Sequence, residues 1–364
     1  MSSNSKSYDA IILGGGAAGL FCAGEAAKRG RHVLVLERAE APGKKILISG
    51  GGRCNFTNIG ASAANYLSAN PHFAKSALSR YMPADFLALV ESYGIAWHEK
   101  TLGQLFCDGS AKQIVAMLIE EMAKGEAELR CGIDITDISH ADARFTVRFG
   151  AEEASAPALI VATGGPSIPK MGATGFAYDI ARQFGLKVVQ PRPALVPFTL
   201  PQKDALFRDL SGVSTDVVAR AGGACFREAA LFTHKGLSGP AILQASSYWT
   251  HGESVALDLL PDADGDWLIE AKRAQPKSTV RAQLRSHLPD RLADALDERL
   301  ALPGDLGNLP DAKLRDAGAR LSDWRFHPNG TEGYAKAEVT AGGVSTAELS
   351  SKTMEAKRVP GLEF

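Results

Sequence analysis

The stretch Asp9–Asn58, DAIILGGGAAGLFCAGEAAKRGRHVLVLERAEAPGKKILISGGGRCNFTN, decides the fold of this chain. It opens on Ala10–Leu13, a short apolar run of the kind a strand buried on both faces requires. Gly14-Gly-Gly16-Ala-Ala-Gly19 follows directly, with its glycines at the spacing of a dinucleotide-binding turn. Gly14 permits the tight turn, Gly16 lets the backbone approach a pyrophosphate, and Gly19 lets the next helix pack close to the strand. That helix begins at Ala17 and Ala18, runs to Lys28, and turns its first amides and positive dipole end toward the phosphates. After Gly30, the β-rich run Val33–Leu36 is closed by Glu37. This acid lies close to the ~20 residues past the glycines at which a carboxylate accepts hydrogen bonds from ribose hydroxyls. An acid there, rather than an arginine, argues against a ribose 2′-phosphate. A second glycine-rich loop, Gly43–Asn58, completes the stretch. Two phosphate-sized loops in one βαβ unit point to a large, flat, anionic cofactor, with nicotinamide and flavin dinucleotides both open.

Working outward, composition narrows the class without adding specificity. The 364 residues allow two or three domains, and 45% hydrophobic with 22% charged residues is ordinary globular composition. The net charge is −1 and the basic residues are scattered, so no nucleic-acid or anionic-membrane partner is expected and the substrate is expected to be a small molecule. No apolar run reaches the ~18 residues of a membrane span. Met1–Ser7 is polar, without a signal-peptide core, so a cytoplasmic protein is expected. The oligomeric state is left open. The five cysteines, Cys22, Cys54, Cys107, Cys131 and Cys225, form no CxxC, which removes a thioredoxin-reductase-like reading; no metal site is expected. Cys22 reads as a small core residue, and packing outranks redox chemistry at Cys54 too.

Further along, Pro71–Tyr81 and Pro83–Tyr93 read as helices opened by proline, Trp97–Lys100 and Gln104–Cys107 as short strands, and Ala111–Lys124 as an amphipathic helix. Leu129–Ile138, Arg144–Phe149 and Leu159–Val161 read as strands, the last entering Ala162-Thr163-Gly164-Gly165. Gln190–Pro197 holds three prolines and reads as an extended crossover. The pattern then shifts to short β-like runs, Val213–Ala219, Cys225–Phe232 and Ser254–Leu259, and to the helical segments Thr279–His287 and Arg291–Leu302. Residues 192–330 are therefore expected to form an inserted domain between a first part, 1–191, and a return, 331–364.

Gly43–Asn58 as a block, Ala162–Gly165, Phe232-Thr-His-Lys-Gly-Leu-Ser-Gly-Pro240 and Ala337-Glu-Val-Thr-Ala-Gly-Gly-Val344 together resemble the bacterial NAD(P)/FAD-dependent oxidoreductases of the BaiN-type or YhiN-like flavoproteins. The segments span nearly the whole chain in the family's order. The resemblance implies an α/β, doubly wound, glutathione-reductase-type FAD-binding domain interrupted by an inserted, largely β domain. It implies pyrophosphate contacts at Gly14, Gly16, Ala17, Ala18 and Gly19, with Glu37 and Arg38 at the adenosine ribose. It places Lys44 or Lys45 and the Gly50–Asn55 loop, with Gly51, Arg53 and Cys54, along the pyrophosphate, ribityl and flavin edge. Ile135 looks like the residue whose backbone meets the adenine, Thr163, Gly164 and Gly165 return the chain to the cofactor, and Gly342 and Gly343 belong to the re-entry turn. Relatives show Phe-Pro where this chain has Phe106-Cys107, and they continue beyond a segment like Val359–Leu362 into a last FAD-contacting turn and helix, before which this chain is expected to end.

The function expected from the resemblance is an FAD-dependent oxidoreductase that passes hydride from NAD(P)H to a small organic acceptor, an activated carbon–carbon double bond being plausible chemistry. The protein's share of such a reaction is positioning and electrostatics. Arg53, Asn55 and His234 are the catalytic candidates, His234 because an imidazole on a glycine-flanked turn can donate a proton near neutral pH. An NAD-dependent dehydrogenase, and a flavin-binding redox sensor or RNA-associated module with little turnover, stay open as alternatives.

Overall fold

The computed structural model describes residues 6–364, which form two compact units. One comprises the chain up to Pro191 together with Gly342–Phe364; the other is Arg192–Ala341. The return to the first unit thus comes at Gly342, later than the sequence pattern suggested.

At the centre of the first unit is a five-stranded parallel sheet. Its members are β1 (Ala10–Leu13), β2 (Val33–Leu36), β6 (Ala127–Arg130), β7 (Ala158–Val161) and the short strand Leu362–Glu363. Their spatial order is Leu362–Glu363, β7, β1, β2, β6. β1 and β2 carry apolar residues at almost every position because both faces are covered. Ile12, Val33 and Val35 pack under α1 (Ala17–Lys28) and α3 (Ala111–Ala123). Ile11, Leu13, Leu34 and Leu36 face the opposite layer, where Phe145, Val147 and Phe149 come from an antiparallel meander and Ile180 from α4 (Phe176–Gln183). A third small sheet joins β3 (Asn55–Asn58), β5 (Gln104–Cys107) and β4 (Trp97–Glu99) in that order. The short helix α2 (Lys44–Ile48) precedes β3 and begins after Gly43, whose φ is +74°.

The helices have identifiable ends. α3 starts at Ser110, whose hydroxyl accepts from the Lys112 amide, with Gln113 closing the capping box. α1 and α3 cross closely through Gly24, where an added Cβ would sit 3.2 Å from Glu121 Cβ. Two expectations are corrected in this unit. The helix expected over Pro71–Tyr81 is confined to Lys75–Arg80. The strand expected over Leu129–Ile138 is broken, because Gly132 takes φ +71° and turns the chain out of the parallel sheet into the meander strand Ile135–Ala141.

The second unit is built on a seven-stranded sheet whose paired strands run antiparallel. Ser214–Ala221 and Ala224–Phe232 form its long central hairpin. Helices Trp267–Ala274, Val280–Arg285, Asp290–Leu300 and Asp311–Ser322 supply the rest of its core, with Leu268, Leu284, Leu296 and Leu314 almost fully buried. The helices at Trp267–Ala274 and Asp311–Ser322 were not legible in the apolar pattern, which is interrupted there by charged residues.

Candidate cofactor cleft

A cleft of about 530 Å³ opens in the first unit where β1, β2 and β7 end, the side of a doubly wound sheet on which ligands bind. Its floor is the turn from β1 into α1. Gly14 takes φ +106°, and a Cβ there would lie 2.7 Å from the Ala162 carbonyl oxygen, so only glycine suits the position. Gly19 is not part of the lining. It is where α1 meets the turn, and a Cβ would fall 1.9 Å from the Gly14 oxygen. Gly16 behaves in the opposite way, with nothing within 4 Å of an added Cβ. As the N-cap of α1 it offers no side chain to the first amides, and the first turn carries no acid, so Ala17 and Ala18 present an uncapped helix start to the cleft.

Glu37 leans over this turn from the end of β2. One carboxylate oxygen accepts from the Gly15 amide at 2.6 Å and the other from the Ala39 amide at 2.7 Å. The carboxylate is thereby fixed at the cleft wall with acceptor capacity left over. Arg38 also lines the cleft and meets Asp134 at 3.1 Å, an exposed pair of small energetic weight. Lys44 and Lys45 enter from α2. Lys45 Nζ lies 3.5 Å from the Gly165 carbonyl oxygen and has no carboxylate partner among the described residues, and desolvation lowers its pKa below the ordinary lysine value. On the β7 side, Thr163 and Gly164 line the cleft, and the Thr163 hydroxyl is buried without a hydrogen-bond partner. Ile135 closes the far end with Ile133 and Asp134.

One wall was missed in the sequence. Met171, Gly172, Ala173, Thr174 and Phe176 complete the lining, coming from the turn that follows Ala162–Gly165. The available signal was the pair Gly172 and Gly175 in a short interval before α4, with Gly172 at φ +88°.

Several expected site residues lie elsewhere. Gly51, Arg53 and Cys54 belong to the loop between α2 and β3 and Asn55 opens β3, all outside the cleft lining. Arg53 is exposed and has no carboxylate partner among the described residues. Cys54 is 5% exposed in the core beneath α3, with burial raising its thiol pKa, and Cys107 packs in the same cluster with its own thiol pushed up to about 11 by burial first and by Cys54 second. The Asn55 amide is spent on its own sheet when its nitrogen donates to the Thr57 and Leu105 carbonyls. Gly165 adjoins the cleft through Lys45. Gly342 and Gly343 are also absent from the lining; a Cβ on Gly342 would sit 2.5 Å from the Gln190 oxygen, and one on Gly343 3.2 Å from the Tyr178 ring. His234 is an exposed residue of the second unit, on a tight turn closed by reciprocal Thr233 and Gly236 backbone bonds. Its neighbour Lys235 is held by Glu332 at 2.9 Å.

A glycine turn at strand ends, an uncapped helix and a carboxylate closing the second strand define a dinucleotide-binding Rossmann protein. The chain belongs to the family described as HI0933-like protein Rossmann domain, whose model matches residues 8–364. It is 50% identical over 369 residues to the ribosomal RNA dihydrouridine synthase of Escherichia coli (strain K12), covering 98% of this chain and 90% of that protein. It is 45% identical over 361 residues to the protein of the same name from Haemophilus influenzae, covering 97% and 90%. The 3-dehydro-bile acid delta(4,6)-reductase of Clostridium scindens is 28% identical over 375 residues, covering 96% and 90%. Among solved structures, an open-conformation flavocytochrome c3 fumarate reductase overlaps 58% of this chain and 47% of its own, with TM-score 0.39 and 18% identity.

These relatives correct the expectation of a small-molecule substrate and no nucleic acid. Two proteins sharing half or nearly half of their residues with this chain are named for an RNA substrate. Net charge alone does not exclude such a substrate, because it reports the long-range field, whereas an enzyme that acts on a base can rely on a few local cations and on shape. No helix among the described residues is long and apolar enough to cross a membrane.

Proposed function

We propose that this chain is an FAD-dependent reductase that saturates the C5–C6 double bond of a uridine in ribosomal RNA, with NAD(P)H as reductant. The observation that carries this reading is the 50% identity, over 98% of the chain, to a protein named for forming dihydrouridine in ribosomal RNA. The name of the more distant bile-acid relative also describes reduction of carbon–carbon double bonds, so hydride delivery to an activated alkene is common to both branches. The uracil C5–C6 bond is such an alkene, conjugated to the C4 carbonyl.

The cleft's chemistry fits FAD. Its polar groups are those an anionic, hydroxyl-bearing dinucleotide would satisfy: the orphaned Thr163 hydroxyl, the Lys45 ammonium without a carboxylate and the uncapped start of α1. In this reading Gly14, Gly16, Ala17 and Ala18 hold the pyrophosphate with Lys44 or Lys45, and Glu37 accepts from the adenosine ribose. Ile135 and Gly164 border the same cofactor. FAD, when bound, supplies a hydride at the flavin N5. The chain's own residues bind it, exclude water and hold the RNA base, for which Arg53, exposed on the glycine loop, is a cation without a carboxylate partner among the described residues. The test is anaerobic: NADH or NADPH should bleach the flavin of the holoprotein, and ribosomal RNA lacking the modification should restore its colour. Flavin that neither nucleotide reduces, or that RNA leaves reduced, would refute the reading.

A further inference from the structure

Saturating an alkene requires a proton as well as a hydride, and the cleft holds no imidazole or neutral acid placed to give one. Immediately beyond it, α2 leads into the Gly50–Gly52 turn. Phe106 of β5 is packed against that turn, its Cε1 2.6 Å from where a Gly50 Cβ would be. The same ring lies beside the His98 imidazole, centroids 6.1 Å apart and planes at 18°, with Lys100 Nζ 5.4 Å from its centroid. His98 Nδ1 is 2.6 Å from Asp108 Oδ1. Both partners are held by the backbone of one small sheet, since His98 pairs with Phe106 and the Asp108 amide donates to the Ala96 carbonyl at 2.9 Å. Nε2 has no partner among the described residues, and the His98 side chain is 40% exposed. Phe106, buried at 7% exposure, and the half-exposed His98 share one side of the sheet, while Leu105 and Cys107 are buried on the other.

We infer that His98 is the proton donor of the reduction, with Asp108 as the positioning residue that fixes its ring through Nδ1 and leaves Nε2 available, the His98 ring being separated from the glycine loop by the Phe106 ring. A histidine fixed by a carboxylate on one nitrogen and free on the other is the arrangement general acid catalysis uses. The inference rests on the proposed reading of the reaction. The uracil C5–C6 π bond opens, C6 takes the hydride and its two electrons from the reduced cofactor, and C5 takes the proton from His98 Nε2. The products are dihydrouridine, oxidised cofactor and neutral imidazole, which solvent reprotonates. The charged groups around the dyad are Asp108 itself, Lys100 across Phe106, Glu99, which accepts from the Gly103 amide, and Glu91, which accepts from Trp97 Nε1.

The experiment compares anaerobically reduced wild-type, His98→Gln and Asp108→Asn holoproteins mixed with unmodified ribosomal RNA. His98→Gln should keep its flavin and its rate of reduction by NAD(P)H while reoxidation by RNA slows about a hundredfold or more. Asp108→Asn should slow reoxidation less. Independently of turnover, nitrogen-15 NMR should find neutral His98 protonated at Nδ1 in the wild type and a changed tautomer ratio in Asp108→Asn. A reduced wild type that RNA does not reoxidise overturns the proposed reaction and this step with it. A wild type that RNA reoxidises, with His98→Gln keeping pace, overturns the donor role alone. An unchanged tautomer in Asp108→Asn overturns the positioning role.

Discussion

At the scale of single residues, Gly16 and Gly19 separate two demands that one motif superimposes. Gly19 serves the fold: with only 1.9 Å to the Gly14 oxygen, even a methyl group forces α1 away from β1. Gly19→Ala should therefore cost about 1–3 kcal/mol in urea denaturation, whether or not FAD is added. Gly16 instead faces open space in the cleft. Its φ of −86° suits any residue and its Cβ would enter open space, so Gly16→Val should leave apoprotein stability within about 0.5 kcal/mol of wild type. FAD affinity measured by fluorescence quenching should nevertheless fall at least about tenfold, a loss of about 1.4 kcal/mol. Equal effects of the two substitutions on stability would refute the division. Lys45→Met, which keeps the stem and removes the charge, should weaken FAD binding by about 1.5–3 kcal/mol in a titration, the range for a hydrogen bond to a charged group. Unchanged affinity would place the pyrophosphate away from Lys45. The packing role of Gly19 was legible because it is local, set by its spacing from Gly14 within one turn. The Met171–Phe176 wall and the meeting of His98 with Asp108 were not, since backbone turns and strand pairing make them.

At the scale of elements, α1 and α3 are pinned together by a buried acid that the sequence pattern hid on an apolar helix. Glu121 is 5% exposed and is reached by Lys28 at 2.7 Å, Lys124 at 2.6 Å and the Tyr93 hydroxyl at 2.5 Å. Burial alone would raise its pKa. The bonds from Lys124, Lys28 and Tyr93 outweigh that and hold it at about 2, against 4.5 for a free glutamate. The folded pKa is depressed, so the stabilisation is fully present above about pH 4.5 and is lost as pH falls toward 2. Its upper value is roughly 3 kcal/mol, from 1.36 kcal/mol per unit. Urea midpoints of the wild type should fall across that window, and Glu121→Gln should flatten the dependence while destabilising the protein at neutral pH. An acid limb that Glu121→Gln leaves unchanged would assign it to other carboxylates.

At the scale of the whole molecule, the alternation of Ile11, Leu13 and Ile12 between two apolar layers is what makes β1 central, and it was readable as a continuous apolar run. The helices Trp267–Ala274 and Asp311–Ser322 of the second unit were not readable, because their buried leucines are diluted by charged residues that form ion pairs such as Lys272 with Asp311 at 2.7 Å. Each unit has its own core, so cofactor binding should act on the first: FAD should slow amide exchange at Gly14–Ala18, Lys44–Ile46 and Thr163–Gly164. Exchange unchanged at all three would place FAD elsewhere. The proposed acceptor belongs to the same scale, and net charge does not decide it. The most direct measurement is nucleoside mass spectrometry of unmodified ribosomal RNA after anaerobic incubation with the FAD-loaded protein and NADPH or NADH. Dihydrouridine, two hydrogens heavier than uridine, should form at a defined position and only with protein, FAD and reductant together. RNA with every uridine intact, beside a flavin that is reduced and then reoxidised by a small enone, would contradict the proposed function.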